Sequence, residues 1–311
     1  MSIHDKTRCN TAILMAVHNG EKYLAEQIES ILNQTYSKFD LIMQDDGSTD
    51  CSTKIIDRYC QKDSRIIRLD NIDNDKGAIG NFSALFSYAK DYYENIFFSD
   101  QDDIWEATKV ERSLKAIQKY TNSPAIVFTN FYLWNSSGTE LMYPGKVQYS
   151  FERCIVQNIM YGCTMLLNKE MSMLIDEIPV YADNHDYWIA LVATLNHAAI
   201  EYIDEPTLKH RLHMDNVTTR ADTRTIKAKL KILFQDPFMN RYIANRFALW
   251  TSIYNGLYKR YGSSELKNLK KLLNSKGIID ALTCIKCGFK GHSKQCTFKF
   301  FLTVALRNRP E

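Results

Sequence analysis

Short apolar segments alternate with helical patterns along the first third of the chain. The segment from Thr11 to Val17 is apolar on both faces, which is typical of a strand buried inside a parallel sheet. From Glu21 to Gln34, apolar residues recur on one helical face. The same alternation predicts three further strands with intervening helices, along FDLIMQDD, RIIRLDN and NIFFSDQDD. This β-α-β-α-β-α-β order predicts an α/β fold whose central sheet is mostly parallel and has helices on both faces.

The second half of the chain gives a mixed pattern. Strands are predicted along AIVFTNFYLW, MYGCTMLLN and AIEYIDEPTLKHRLH, with one helix along KEMSMLIDEI and another that starts near His185. Beyond about Asp215 the pattern becomes helical and basic, without strand alternation. We therefore predict an α/β domain over residues 10–217, with halves that meet near residue 105, followed by a basic helical region over residues 218–311.

Composition and charge fit a globular protein of 311 residues. Apolar residues make up 45% and charged residues 24%, which excludes disordered, collagen-like and coiled-coil chains. The net charge of +3 hides an asymmetry, because residues 222–311 carry 18 Lys and Arg against 5 Asp and Glu. Such a basic tail favours contact with an anionic membrane or a nucleic acid; a solvated helical face is the alternative. The sequence shows neither an apolar run that would span a bilayer nor a secretory signal, so we expect a cytoplasmic protein.

Polar clusters follow three of the predicted strands. His18 and Asn19 follow the first strand, Asp45 and Asp46 the second, and Asp100 to Asp103 the fourth. Because the carboxyl ends of parallel strands meet at one edge of a sheet, these side chains are predicted to share one ligand site.

Asp100 and Asp102 point the same way along an extended chain, so their carboxylates can converge on one ion. Carboxylates this close repel one another unless a cation lies among them, and hard oxygen ligands suit Mg²⁺ or Mn²⁺. A solvated acidic turn, or the start of a helix at Trp105, is the alternative. At the second strand, one carboxylate of Asp45 and Asp46 can accept the N3–H of uracil or thymine, within a turn that leads from strand to helix.

Several stretches of the sequence resemble one enzyme family. The segment AILMAVHNGEKYLAEQIESILNQTYSKFDLIMQDDGSTD resembles the opening of family 2 glycosyltransferases, which have the GT-A fold. The segment FFSDQDDIW is similar to the metal-binding D-x-D motif of that family. Two more segments, NHDYWIALVA and EYIDEPTLKHRLHMDNV, resemble motifs of the bacterial rhamnosyl- and glucosyltransferases of O-antigen and capsule synthesis. The resemblance spans about residues 10–217, with every motif in order.

The resemblance implies a nucleotide-diphospho-sugar donor, bound with Mg²⁺ or Mn²⁺ by residues 10–105, and an acceptor bound by residues 106–217. The implied nucleotide-sugar contacts are Ala16, His18, Asn19, Asp45, Asp46, Lys76, Gly77, Asn81, Asp100, Gln101 and Arg211. The implied cation ligands are Asp100, Asp102 and His213. An alternative role for His213 is to donate a hydrogen bond to the leaving phosphate. Weaker candidates are Asp103, His210 and Asn216.

Asp186 matches the position of the catalytic base in this family. An inverting transfer needs a carboxylate that takes a proton from the acceptor hydroxyl as the hydroxyl attacks the anomeric carbon. Asp186 is predicted at the start of a helix, where the helix dipole favours an ionised carboxylate. A simple helix cap is the alternative.

The resemblance also implies transfer from a UDP- or dTDP-sugar to a hydroxyl of a lipid-linked glycan. Aromatic residues mix with Lys and Arg along IKAKLKILF, FALWTSIYNGLYKRY and FKFFLTVALRNR, which is typical of helices on an anionic membrane surface. We therefore expect a peripheral enzyme on the cytoplasmic face of the inner membrane, with no nucleic-acid partner. Helices that simply pack on the catalytic body are the alternative.

Cysteine spacing suggests a competing function for the tail. Cys284, Cys287, His292 and Cys296 come close to the spacing of a retroviral-type zinc knuckle, with the last interval one residue short. A nucleic-acid-binding protein is therefore one alternative function, and an inactive GT-A scaffold is another. The five remaining cysteines, Cys163 among them, lack metal-ligand spacing and are predicted to be small buried residues. A Rossmann dehydrogenase is excluded, because VHNGEKYL lacks the G-x-G-x-x-G pattern.

Overall fold

The structure is a computed structural model that describes residues 9–70, 77–143, 146–213, 237–262 and 266–307. The chain divides into two compact units. The first comprises Met1–Val147 and Met160–Leu212, and the second comprises Gln148–Ile159 and His213–Glu311. The domain boundary predicted at residue 217 lies outside the described residues.

The strands of the described residues all belong to the first unit, whereas the helices are shared between the two units. The strands are β1 (Thr11–Val17), β2 (Asp40–Asp45), β3 (Ile66–Leu69), β4 (Asn95–Ser99), β5 (Ile104–Trp105), β6 (Ala125–Asn135), β7 (Gly138–Leu141), β8 (Met165–Asn168) and β9 (Ala199–Arg211). The helices are α1 (Leu24–Leu32), α2 (Ser52–Lys62), α3 (Ala78–Ala89), α4 (Lys109–Ile117), α5 (Phe151–Val156), α6 (Lys169–Leu174), α7 (His185–Leu195), α8 (Pro237–Tyr261), α9 (Lys267–Leu273), α10 (Gly277–Lys286) and α11 (Lys294–Ala305). Helices α5 and α8 to α11 lie in the second unit.

The described strands form one sheet in the order β3-β2-β1-β4-β8-β6-β9-β5, with β7 beside β6. Strands β1 to β4 pair in parallel, and β9 runs parallel to β6. Strand β8 runs antiparallel between β4 and β6, and β5 runs antiparallel to β9. The predicted α/β class with a mostly parallel sheet is confirmed, and the antiparallel strands follow β4 in the chain.

The direction of chain travel reverses between β1 and β4, and this reversal positions the site. The chain moves outward from β1 to β2 and β3, then returns to the other side of β1 to form β4. Because such crossovers are right-handed, α1 and α2 lie on one face of the sheet and α3 lies on the other. Side chains of β1 and β2 are buried on both faces, as expected for a covered parallel sheet. In folds of this type, ligands bind at the carboxyl ends of the strands where the reversal occurs.

Three predicted elements differ from the structure. Helix α6 ends at Leu174, Ile175 has an extended conformation, and Ile175 and Ile178 are both buried. Within MYGCTMLLN, residues Gly162–Thr164 form a 3₁₀ turn and only the last four residues form a strand. The helix considered at Trp105 is absent, since Ile104–Trp105 pairs instead with β9.

The second unit is helical in its described part, which confirms the predicted helical C-terminal region. Its core is built on aromatic side chains. The indole of Trp250 donates to the carbonyl of Ile155 at 3.3 Å, and its ring lies 5.9 Å from that of Phe300. Phe289 stacks on Phe300 at 5.9 Å. Within the described residues, the structure has no helix long and apolar enough to cross a membrane.

Candidate functional site

The loops that follow β1 and β2 form one hydrogen-bonded rim. Asn19 takes a left-handed conformation, with φ at 48°, which an Asn tolerates. Its side-chain oxygen accepts from the backbone of Thr49 at 2.8 Å, and its own N–H donates to the Ser48 hydroxyl at 2.8 Å. Asp45 accepts from the Ser48 backbone at 3.0 Å and so closes the turn. Ala16, near the end of β1, is half-buried beside this rim.

An amide links the end of β1 to the segment after β4. The Gln101 side chain accepts from the backbone N–H of His18 and donates to the His18 carbonyl, both at 2.9 Å. The His18 ring bonds the Asp46 carbonyl through Nδ1 at 3.0 Å and the Asn19 amide through Nε2 at 3.1 Å. The Nδ1–H tautomer satisfies both ring contacts. A Cβ at Gly20 would overlap the Gln101 amide, so a larger residue there would displace this link.

The segment that enters α3 meets the end of β2. The carboxylate of Asp46 accepts from the backbone N–H of Gly77 at 2.6 Å, and Gly77 has a φ of 95° that favours glycine. The Asn81 amide donates to the Gln44 carbonyl at 3.0 Å. Three of the predicted nucleotide contacts therefore lie together at this edge. Lys76, predicted with them, lies outside the described residues.

Four carboxylates influence one another at the end of β4. Burial raises the pKa of Asp100 well above its ordinary value, and repulsion from Asp103 and Asp102 raises it further. Asp186 adds to this repulsion, so it lies in the same electrostatic neighbourhood. It stands in the first turn of α7, where its carboxylate accepts from the backbone N–H of Gly162 at 2.9 Å. The fold thus brings the predicted cation ligands of this segment and the predicted base to one place.

The innermost of these carboxylates belongs to Asp103, which is fully buried. Its Oδ1 is 2.8 Å from Nδ1 of His210 and accepts from the backbone N–H of Arg211 at 3.3 Å. Its Oδ2 has no hydrogen-bond partner among the described residues. Burial opposes the charged form of His210, but the carboxylates of Asp103, Asp100 and Asp102 together outweigh burial and raise the pKa of His210 to about 9. One ligand atom each from Asp100, Asp103, Cys163 and His210 lie within 4.8 Å of one another.

The Arg211 side chain is held by contacts with several neighbouring residues. Its Nε donates to the carbonyl of Asp102 at 2.9 Å, and its Nη2 pairs with the Glu26 carboxylate at 2.5 Å. The guanidinium lies over the rings of Tyr23 and Trp134, at 4.4 Å and 4.2 Å from their centroids. This arrangement fixes the guanidinium next to the carboxylate segment. Its predicted contact with a diphosphate stays a prediction.

The remaining predicted metal ligands belong to the second unit. His213 follows β9 and is the first residue of the second unit's main segment, so its role as a cation ligand stays a prediction. Among the described residues, Cys284, Cys287, His292 and Cys296 do not gather into a group able to hold one metal ion. The structure therefore does not support the zinc-knuckle alternative.

Two buried ionisable side chains near the site escaped sequence analysis. Lys109 is fully buried, with its ammonium 3.4 Å from the Thr207 hydroxyl and over the Trp105 ring, and burial lowers its pKa to about 8. His185 packs against Phe82 with 3.9 Å between ring centroids, and burial lowers its pKa to about 3. The sequence gives no signal for either, because both stand at helix starts where polar residues are ordinary.

Cysteine burial also departs from the sequence-based expectation. Cys154 and Cys163 are buried as predicted, whereas Cys51 is exposed. Cys163 is more than a small buried residue, since it lies beside Asp100, Asp103 and His210.

Comparison with known proteins identifies the family. The chain matches the Glycosyl transferase family 2 model over residues 12–173. WfgD of Escherichia coli, a UDP-Glc:alpha-D-GlcNAc-diphosphoundecaprenol beta-1,3-glucosyltransferase, is 26% identical over 265 residues, which cover 84% of this chain and 98% of WfgD. The dTDP-rhamnosyl transferase RfbG of Shigella flexneri is 28% identical over 214 residues, 65% of this chain and 72% of RfbG.

The fold has a match among solved structures. The crystal structure of S. aureus TarS 1-349 in complex with UDP-GlcNAc is similar with a TM-score of 0.56 and 15% identity, over 85% of this chain and 79% of the TarS chain. This similarity shows a shared fold and bears out the fold that the sequence motifs implied. Together with the family match over residues 12–173, it shows that the chain belongs to glycosyl transferase family 2 and is a glycosyltransferase of the GT-A fold.

Proposed function

We propose that this enzyme moves a sugar from a UDP- or dTDP-sugar to a hydroxyl of a lipid-linked glycan, with inversion, during synthesis of a bacterial surface polysaccharide. The names of the relatives support this proposal: WfgD is named for a UDP-glucose donor and a diphosphoundecaprenol-linked acceptor, and RfbG for dTDP-rhamnosyl transfer. The observation that carries it is that Asp102, Asp103 and Asp186 all interact electrostatically with Asp100, at the end of β4.

Asp186 is the proposed catalytic base. In a direct displacement, its carboxylate takes the proton of the acceptor hydroxyl while the hydroxyl oxygen bonds to the anomeric carbon and the nucleoside diphosphate leaves. The bond from the Gly162 N–H orients this carboxylate, and the start of α7 favours its ionised form. The carboxylate is largely buried, with 8% of the residue exposed, so bulk water has little access to it.

The carboxylate segment after β4 fits a divalent cation. Its donors are hard carboxylate oxygens, and repulsion from Asp102 and Asp103 already acts on Asp100. We propose Asp100 and Asp102 as ligands of Mn²⁺ or Mg²⁺, joined by His213. When bound, the cation stabilises the charge that develops on the leaving diphosphate.

The rim that follows β1 and β2 is the proposed nucleotide site. It lies where chain travel reverses between β1 and β4, the place at which such sheets bind ligands. Asp46, fixed by the Gly77 N–H, is the proposed partner of the base, and Asn81 lines the same edge. The Gln101 link holds the backbone of His18 against the cation segment, so nucleotide and cation are positioned together.

We further propose that the second unit contacts an anionic membrane on its cytoplasmic face. Helix α10 exposes three apolar side chains on one side, with 62% of Ile278, 80% of Ile279 and 50% of Leu282 accessible. Lys286 extends the same side by one turn and is exposed. An apolar stripe with a basic residue at its end suits a helix lying on anionic lipid, which would bring the enzyme to a lipid-linked acceptor.

Thermal unfolding with a panel of UDP- and dTDP-sugars, each with and without Mn²⁺, tests the proposed function. A donor bound at about 100 times its dissociation constant stabilises the fold by about 2.7 kcal/mol, which raises the melting temperature measurably. The stabilising donor is then incubated with a synthetic lipid-diphosphate-linked N-acetylglucosamine, and the product is detected by mass spectrometry. Absence of stabilisation by every donor in the presence of Mn²⁺ would overturn the proposal.

A further inference from the structure

The buried side of the carboxylate segment carries a sulfur ligand that the proposed transfer does not use. Cys163, from the 3₁₀ turn before β8, lies with Asp100, Asp103 and His210 in a group whose ligand atoms are all within 4.8 Å of one another. We propose that these four residues bind a thiophilic divalent cation of the Zn²⁺ class, with Cys163 as the sulfur ligand. The inference shares Asp100 with the proposed function but does not depend on sugar transfer.

The spacing of the four side chains suits one ion. Zinc bonds to nitrogen, oxygen and sulfur are about 2.0–2.3 Å long, so ligand atoms around one tetrahedral centre are roughly 3–4 Å apart. The observed upper limit of 4.8 Å leaves room for small side-chain adjustments. The ligands also come from separate parts of the fold, namely the segment after β4, the 3₁₀ turn and β9, so the packed sheet holds them in place.

A second observation points to a ligand at this position. Asp103 is fully buried, and its Oδ1 is taken by the ring of His210 and the backbone N–H of Arg211. Its Oδ2 meets no donor in the part of the chain that the structure describes. Buried carboxylate oxygens nearly always have a partner, and a cation among these four side chains would supply it.

The mixture of donors decides which cation fits. One sulfur, one imidazole nitrogen and two carboxylates are the ligands of Zn²⁺ and Co²⁺, whereas Mg²⁺ prefers oxygen throughout. Divalent affinities rise from Mn²⁺ towards Zn²⁺, so Zn²⁺ would win this site over Mn²⁺. As the sulfur–metal bond forms, the S–H bond of Cys163 breaks and its proton passes to solvent.

A divalent ion would offset the negative charges of its proposed ligands. A thiolate at Cys163 and carboxylates at Asp100 and Asp103 carry three negative charges, while a neutral His210 carries none. The buried ammonium of Lys109 interacts with both Cys163 and Asp103 and supplies one positive charge. A divalent cation supplies two more, so that the three negative charges of these ligands are offset, which lowers the cost of burying them.

Cobalt titration of the full-length chain tests this proposal, since Co²⁺ reports a thiolate ligand through its near-ultraviolet charge-transfer band. We expect the wild type to develop the band, with saturation at one equivalent, and Zn²⁺ to bleach it. The Cys163→Ser variant should lose the band. The matched Cys284→Ser variant, which removes a buried cysteine of the second unit, should keep it. Absence of the band in the wild type, or its persistence in Cys163→Ser, would overturn the proposal.

A second variant keeps the test informative if loss of the thiol disturbs folding. Asp103→Asn retains Cys163 and should weaken Co²⁺ affinity at least ~10-fold, with a melting curve that remains cooperative. Unchanged affinity would count against the site. Cobalt binding without any response to nucleotide sugars would contradict the proposed function and leave this inference standing. Conversely, a response to nucleotide sugars without cobalt binding would overturn this inference and leave the proposed function standing.

Discussion

Replacement of Asp186 by Asn is the sharpest test of the proposed chemistry. The substitution keeps the size and shape of the side chain and removes its ability to take a proton. An amide oxygen still accepts from the Gly162 N–H, which bonds the carboxylate at 2.9 Å. We therefore expect Asp186→Asn to fold normally and to lose most of its turnover.

The two expected magnitudes differ enough to separate catalysis from folding. A positioned general base contributes about 10²–10⁴ in rate, which corresponds to about 3–5.5 kcal/mol of activation free energy. The stability cost is smaller, because a hydrogen bond to a charged acceptor, worth about 1.5–3 kcal/mol, becomes a neutral one worth about 0.5–1.5 kcal/mol. Turnover should fall at least ~100-fold while the free energy of unfolding falls by only about 1 kcal/mol.

Initial rates of nucleoside diphosphate release, measured with a lipid-linked acceptor at saturating donor, give the turnover. Urea unfolding of the same preparations gives the stability. Asp183→Asn is the matched control, since Asp183 precedes α7 and is exposed, and its turnover should equal that of the wild type. Near-normal turnover of Asp186→Asn would refute the assignment of the base.

Three further predictions concern the rim, the buried histidine and the exposed helix. Gly20→Ala should displace the glutamine amide that ties β1 to the segment after β4 and break its two hydrogen bonds. We expect the free energy of unfolding, measured in urea, to fall by about 1–3 kcal/mol. An unchanged value would contradict the close contact between Gly20 and the Gln101 amide. His185 has a pKa of about 3 in the folded state and 6.5 in the reference state, so the unfolded chain binds its proton first as the pH falls. Stability should therefore drop by up to about 1.4 kcal/mol per pH unit as the pH falls from about 6.5 to about 3. His185→Leu should flatten this profile in unfolding measurements at stepped pH. An unchanged slope would show that other groups cause the pH dependence. The double variant Ile279→Ser with Leu282→Ser should weaken flotation with anionic vesicles at least ~10-fold. Met173→Ser, an exposed apolar residue of the first unit, should float as the wild type does, and equal losses in both would refute a specific membrane face.

The amino-acid pattern alone determined the first half of the sheet and the polar clusters at its edge. The predicted Thr11–Val17 matches the bounds of β1, and Asp100 to Asp103 follow β4 as expected. These features are local: buried strands need continuous apolar runs, and tight strand-to-helix turns need small or polar residues. The family motifs are local in the same way, so fold class and enzyme class followed from the sequence.

Only the tertiary structure decided how distant segments meet. His210, a weak candidate in the sequence, bonds Asp103 across 107 positions, and Cys163 joins them from a turn that the strand pattern missed. Arg211 is held by Tyr23 and Trp134, which no motif connects to it. These contacts arise when α/β crossovers and antiparallel returns bring separate chain segments onto one sheet edge. Packing of the whole chain, and not the neighbours of each residue in sequence, therefore creates the burial and the electrostatic coupling of the site.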